Sequence, residues 1–251
     1  MAQTNFPTEE VNLPSKGYFY PKDNPLASGK VEMKYMTARE EDILTSPNLL
    51  KHGTAIDKLL EALIVDKKIK LDDLLIGDKN TLIIAARILA YTKQYDFLTF
   101  DEDGSEVIAT VDLTTLNDKE IDFKSMTKGV NEFTFKLPNS EREVVLRMLT
   151  HQDELGLTKE AIALKKVQLA TNMTSRMKRM IVSIDGNSER AAVNNFVDTE
   201  LLSVDALEIR KYLASITPDV NMTTTATFPD GREEEIAVQI TAQFFWPSTE
   251  V

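Results

Sequence analysis

The spacing of apolar residues changes several times along the chain, and each change marks a new kind of element. Ile56, Leu59, Leu60, Leu63 and Ile64 recur at steps of three and four, which predicts an amphipathic helix facing a core. Thr54, after Gly53, offers its start. Earlier, Thr37-Ala38-Arg39-Glu40 has the spacing of a capping box, in which side chains at both ends satisfy free backbone donors. A third helix, with Asp78 as its expected cap, carries Leu82, Ile83, Ile84, Ile88 and Leu89 on a broad apolar face. The period then shortens. Residues 95–100 read as a strand, Asp101-Glu102-Asp103-Gly104 as a turn and residues 105–113 as the returning strand. Phe133, Phe135 and Leu137, then Val144, Leu146 and Met148, predict a second strand pair across Pro138-Asn139-Ser140. A long helix is expected from about residue 150 to 184, broken by Asp185-Gly186-Asn187. Shorter helices follow at about 189–199 and 204–216, with Pro218 as a stop. Residues 221–228 and 236–245 form a closing hairpin around Pro229-Asp230-Gly231.

The first 35 residues follow no such period. Pro7, Pro14, Pro21 and Pro25 forbid a continuous helix and favour extended backbone. Phe6, Tyr18, Phe19 and Tyr20 are too many rings for an inert linker. They predict an arm, residues 1–35, that docks either on its own body or on a neighbour.

The order of elements repeats. Met36-Thr37 before Glu40-Glu41-Asp42 is matched by Leu149-Thr150 before Asp153-Glu154. Leu74-Leu75 precedes a helix containing Arg87 and a hairpin turning at Asp103-Gly104. Leu201-Leu202 precedes a helix containing Arg210 and a hairpin turning at Asp230-Gly231. The expected architecture is therefore α+β: two related helical-plus-β-hairpin units with an extended N-terminal arm. Residues 36–122 form the first unit and residues 123–251 the second, which begins with the strand pair. Chance likeness between short amphipathic segments is the competing reading.

Composition narrows the chemistry. With 251 residues and 42% hydrophobic content, the chain can build a sizeable core. A net charge of −11 argues against a general nucleic-acid binder, which needs clustered Lys and Arg. Zero cysteines exclude disulfides, thiolate zinc sites and cysteine nucleophiles, and two histidines, His52 and His151, exclude a histidine-rich metal centre. Both histidines fall at helix boundaries and are expected on the surface or in caps. No apolar run approaches a membrane span, and the opening MAQTNFPTEE lacks the features of a signal peptide, so a soluble protein made inside the cell is expected.

Catalytic motifs fail on inspection. Aligning Gly104 with the glycine of an EF-hand puts Thr99 and Thr110 where the terminal acidic ligands belong. There is no Gly-x-Ser-x-Gly elbow and no glycine-rich phosphate loop. No catalytic residue, cofactor or metal ligand is expected. The candidate sites are instead partner-binding. Arg176, Lys178 and Arg179, with Lys165 and Lys166 upstream, make one helix basic within an acidic protein, which fits either an acidic partner or the helix dipole. Met173, Met177 and Met180 on that stretch read as core. Phe245 and Trp246 in the closing Phe244-Phe245-Trp246-Pro247 read equally as a core anchor of the last strand or an interface anchor.

Taken together, the arm Leu13-Pro14-Ser15-Lys16-Gly17-Tyr18, the phrase from Met36 to Leu44 with Gly53, Phe135-Lys136-Leu137-Pro138-Asn139-Ser140, Leu149-Thr150, Ile184-Asp185-Gly186 and Phe244-Phe245-Trp246-Pro247 make the chain resemble the baseplate hub family of T4-like contractile-tailed bacteriophages. The resemblance spans nearly the full length, and none of its motifs is catalytic. It implies a non-enzymatic virion protein in or beside the baseplate hub, made in the host bacterial cytoplasm. Other tail and baseplate proteins would be its partners, without nucleic acid or membrane, and several copies around the tail axis are compatible with it. An assembly chaperone that leaves before the particle matures is the alternative. Relatives often carry Cys-x-x-Cys-like turns where this chain has Phe100-Asp101-Glu102-Asp103-Gly104 and Phe228-Pro229-Asp230-Gly231, so Asp-Gly turn geometry is expected to hold these tips without zinc.

Overall fold

The computed structural model describes residues 7–101, 104–165, 172–240 and 242–245. Strands β1 (Thr8–Asn12) and β2 (Lys30–Lys34) pair antiparallel, with Val11 opposite Val31. Helices α1 (Ala38–Thr45), α2 (Pro47–His52), α3 (Ala55–Leu63) and α4 (Ile76–Ala90) follow, then the hairpin β3 (Gln94–Phe100) and β4 (Glu106–Asp112). The second half runs β5 (Phe133–Lys136), β6 (Glu143–Leu146), α5 (His151–Lys165), α6 (Asn172–Met180), β7 (Ile181–Ile184), α7 (Arg190–Asn195), α8 (Ser203–Ile216), β8 (Thr223–Thr227) and β9 (Glu233–Ala237). The protein is α+β. Its sheets are β1-β2, β5-β6-β7, and a four-stranded sheet in the order β3-β4-β8-β9 that joins the two long hairpins.

Local chemistry explains most starts and stops. Thr37 and Glu40 form the expected capping box at α1. Thr150 and Asp153 repeat it before α5, with the Thr150 amide donating to the Asp153 carboxylate at 3.0 Å. Gly53 closes α2 in the left-handed conformation. At α3 the predicted stripe is buried through Leu59, Leu60 and Leu63. Gly77 has a different role. A Cβ there would lie 2.1 Å from the Pro218 carbonyl oxygen, so only glycine lets the segment after α8 cross the start of α4.

Four expectations are corrected. The long helix does not reach residue 184, because α6 ends at Met180 and Ile181–Ile184 is the strand β7, paired to β6. The final strand does not run to Phe245; β9 ends at Ala237, and Ala242–Phe245 is a single 3-10 turn. Phe244 and Phe245 are both fully buried. Consecutive strand residues point to opposite faces, whereas this turn brings both adjacent rings into the core. Asp78 does not cap α4, since Leu75 precedes the helix and the Asp78 carboxylate accepts instead from Ser15 and Tyr20. His151 sits at the predicted boundary but is buried, with Nε2 3.2 Å from Asp57 and Nδ1 3.0 Å from Lys79.

One buried core links both halves. It includes Leu13, Leu26 and Met33 from the N-terminal segment, Leu59, Leu74 and Leu82 from the first helices, and Val144, Ile181, Ile209 and Phe244 from the second half. Arg87 is buried within it. Its Nε donates to the Phe244 carbonyl at 2.9 Å, and its guanidinium lies 4.9 Å from the Tyr91 ring centroid. That single cation ties α4 to the closing 3-10 turn.

Candidate interaction surfaces

The N-terminal aromatics are placed by a tight turn. Lys16 and Gly17 both take positive φ, and the Tyr18 amide donates to the Ser15 carbonyl at 2.9 Å. Gly17 is needed there because a Cβ would meet the Ala27 carbonyl oxygen at 2.5 Å. The turn sends Phe19 and Tyr20 inward, where both are buried. Phe19 packs edge-on to Phe133 at 5.7 Å between ring centroids, and half-buried Tyr18 packs on Phe123 at 5.1 Å. The Tyr18 hydroxyl donates to the Met126 carbonyl. Tyr20 donates to Asp78 at 2.5 Å and accepts from the Leu75 amide, so it bridges the arm to the start of α4. Burial and the adjacent Asp78 push the Tyr20 phenol well above its usual range. Burial likewise raises Asp78, against the opposing hydrogen bonds from Tyr20 and Ser15. Within this chain, these rings dock on their own body. Phe6 lies outside the described residues.

The basic helix is neutralised locally. Arg176 makes a forked pair with Glu154, at 2.6 and 3.2 Å, and Lys178 reaches Asp198 at 2.7 Å. Arg179 pairs with Glu160 and lies across Gly156, with Asp153 3.9 Å away. Exposed pairs of this kind contribute little stability, but they occupy the cations that the sequence offered to an acidic partner. Met177 is buried, Met180 packs against the core, and Met173 is exposed. The Lys165 and Lys166 side chains lie outside the described residues. Phe245 is buried and packs edge-on to Phe244. Trp246 lies outside the described residues.

A surface that sequence reasoning missed is on the β3-β4 hairpin. Leu98 and Phe100 are 61% and 66% exposed, and Ile108, directly opposite Leu98, is 40% exposed. The signal was available in Phe97-Leu98-Thr99-Phe100. A strand with one covered face needs apolar residues only at alternate positions, and this run supplies them to both faces. A second exposed set, Leu202, Val204 and Leu207, lies at the start of α8.

The described residues at both hairpin tips form turns. Backbone bonds close them, from the Gly104 amide to Asp101 and from the Gly231 amide to Phe228, and the carboxylate of Asp101 pairs with Arg232. Among the described residues, no cluster of three or more His, Cys, Asp or Glu is placed to hold a metal ion. A cleft of about 790 Å³ is lined by residues of the 117–120 segment and α8, but its Lys119 ammonium donates to the Ala214 carbonyl near the helix end. Among the described residues, no helix is long and apolar enough to cross a membrane.

The polar groups described so far tie one segment of the chain to another, and exposed apolar residues lie on β3, on β4 and at the start of α8. The model of the family described as T4 bacteriophage base plate protein matches residues 7–246, and the chain belongs to that family. No curated protein and no solved structure matches it.

Proposed function

We propose that this chain is a non-enzymatic structural subunit of a contractile-tail baseplate, placed in or beside the hub, made in the host cytoplasm and retained in the virion. The observation that carries the reading is the family match across residues 7–246. The geometry agrees with it. A rigid α+β body presents the Leu98-Phe100-Ile108 patch and the start of α8 to neighbouring tail proteins, while Tyr18, Arg176, Lys178 and Arg179 lie at the edges of contacts already made within the chain. On this reading Phe6, just before the matched region, and Trp246, its last residue, remain partner-binding candidates.

The same reading takes the chain as two related units, and recurring contacts support it. Leu13-Pro14-Ser15 and Leu137-Pro138-Asn139 both lead into turns held by a buried aspartate, Asp78 in one case and Asp205 in the other. Lys34 pairs with Glu40 of the first capping box as Arg147 pairs with Asp153 of the second. The arm therefore belongs with the first unit, in the place that the β5-β6 pair takes in the second.

Quantitative mass spectrometry of purified mature particles and of baseplate intermediates tests the assignment. A fixed stoichiometric amount in mature particles is expected. Presence in intermediates alone would make the chain an assembly chaperone, and absence from both would overturn the placement in the tail.

A further inference from the structure

The four-stranded sheet is ordered as a repeat that stops at both ends. Asp78, Asp101 and Gly104 recur at one constant offset as Asp205, Phe228 and Gly231, and the turn bonds recur with them. By this correspondence β3 matches β8 and β4 matches β9. In the order β3-β4-β8-β9, the second strand of the first hairpin pairs with the first strand of the second hairpin. Thr110 lies opposite Thr227 and Val111 opposite Ala226. That contact is head-to-tail, so it leaves a first-strand edge open on β3 and a second-strand edge open on β9; no described strand pairs with either.

We propose that β9 of a second copy of this chain pairs with the outer edge of β3, continuing the sheet from one molecule to the next as β4 continues into β8 within one. The proposal uses the two-unit reading for its register. Carried over, the internal pairing sets Ala237 opposite Phe100, Val238 opposite Thr99 and Gln239 opposite Leu98. The hydrogen-bonding directions agree. On β3 the backbones of Tyr95, Phe97 and Thr99 face β4, so those of Leu98 and Phe100 face outward. On β9 and the residues that continue it, the backbone of Val238 bonds to Met222 before β8, so those of Ala237 and Gln239 face outward. Ala237 and Gln239 are exposed, and the register places no like charges side by side along this stretch. Phe100 then lies against a small residue, which accommodates its ring. The three glutamates Glu233, Glu234 and Glu235 fall beyond the paired stretch and keep the rest of the β9 edge from unselective pairing. Because the contact is heterologous, repetition closes a ring or extends a filament according to the rotation between copies.

The absence of cysteine makes the test clean. Full-length Phe100→Cys and Ala237→Cys chains, both altered at exposed positions, are purified, mixed and oxidised. Paired residues of this type lie about 5.5 Å apart between Cα atoms, within disulfide reach. In one chain β3 and β9 are separated by three strand spacings, about 14 Å, so any such bond joins two molecules. The expected result is a mixed disulfide dimer in several-fold excess over either variant alone. Adding Leu98→Lys to the Phe100→Cys chain should reduce it several-fold without moving the thermal midpoint. No mixed dimer, or equal self-linking of Phe100→Cys, overturns the proposal. Preferential linking of Phe100→Cys to Gln239→Cys overturns the register and the two-unit reading together. None of these outcomes depends on where the chain resides in the particle.

Discussion

Two buried aspartates do equivalent work under different electrostatic balances. Asp205 accepts from the Asn139 amide and side chain and from the Ser140 amide, at 2.9 to 3.0 Å. Burial alone would raise its pKa, but these donors win and hold it below the ordinary value. At Asp78 burial wins, helped by the negative charge of Asp118. The pH consequences have opposite signs. Asp205 contributes stability fully above its unfolded value, near 3.9, and loses it as pH falls through its lower folded value. Asp153 and Glu40 behave the same way, and Glu40, opposed by burial but held down by Lys34 and Thr37, reaches about 2. Asp78 costs stability above its raised folded value and is relieved as pH falls through it. The advantage of the wild type over Asp205→Asn should therefore shrink on acidification, whereas its advantage over Asp78→Asn should grow. Denaturant midpoints measured between neutral pH and the carboxylate range check both slopes. At neutral pH, Asp205→Ala should cost about 1–3 kcal/mol for each buried donor left unsatisfied, less any that water recovers.

At the scale of elements, the period of the apolar residues was enough for α3, α4, the β3-β4 hairpin and the β5-β6 pair. The signature is cleanest at α3, where the buried residues form one stripe, Leu59, Leu60 and Leu63. It failed at β7, because Ile181, Val182 and Ile184 fit either a helix face or a short buried strand, and only pairing with β6 decides. Asp78 misled for a related reason. Its position in the first turn suits a cap, but a carboxylate near a helix start can bond outward as well as to its own backbone. Gly77 gave no local signal, since its role comes from Pro218 and Asp219 far along the chain. Gly77→Ala should force these segments apart and cost about 1–3 kcal/mol or more. Gly53→Ala meets no atom and bears only the strain of a left-handed backbone, about 1–2 kcal/mol. Thermal unfolding of the two variants should rank them in that order.

For the whole molecule, the arm is part of the core. Leu13, Phe19, Tyr20 and Leu26 are buried, and Ser15 and Tyr20 supply donors to Asp78. Deleting residues 1–30 should therefore abolish cooperative unfolding rather than trim a surface feature, because it opens the core and strands a buried carboxylate. Circular dichroism melting of the truncated chain tests this; an unchanged transition would mean that the arm is dispensable to the body. The candidate sites were legible only in part. Arg176, Lys178 and Arg179 are basic in sequence, yet their acidic partners Glu154, Asp198 and Glu160 come from other elements. The run Phe97-Leu98-Thr99-Phe100 offered apolar residues to both faces, but only the strand order shows that Leu98 and Phe100 lie at a sheet edge.

The sequence by itself determined the alternation of helices and hairpins, the capping box at Thr37, the places of the hairpin turns and the family resemblance, because each rests on residues near one another along the chain. The tertiary structure decided which rings are buried inside, which charges are already paired, that His151 is buried, and that β4 joins β8 while β3 and β9 remain at the edges. Those outcomes depend on what lies across the gap between distant segments, where burial and hydrogen-bond satisfaction are settled and a one-dimensional pattern carries no information.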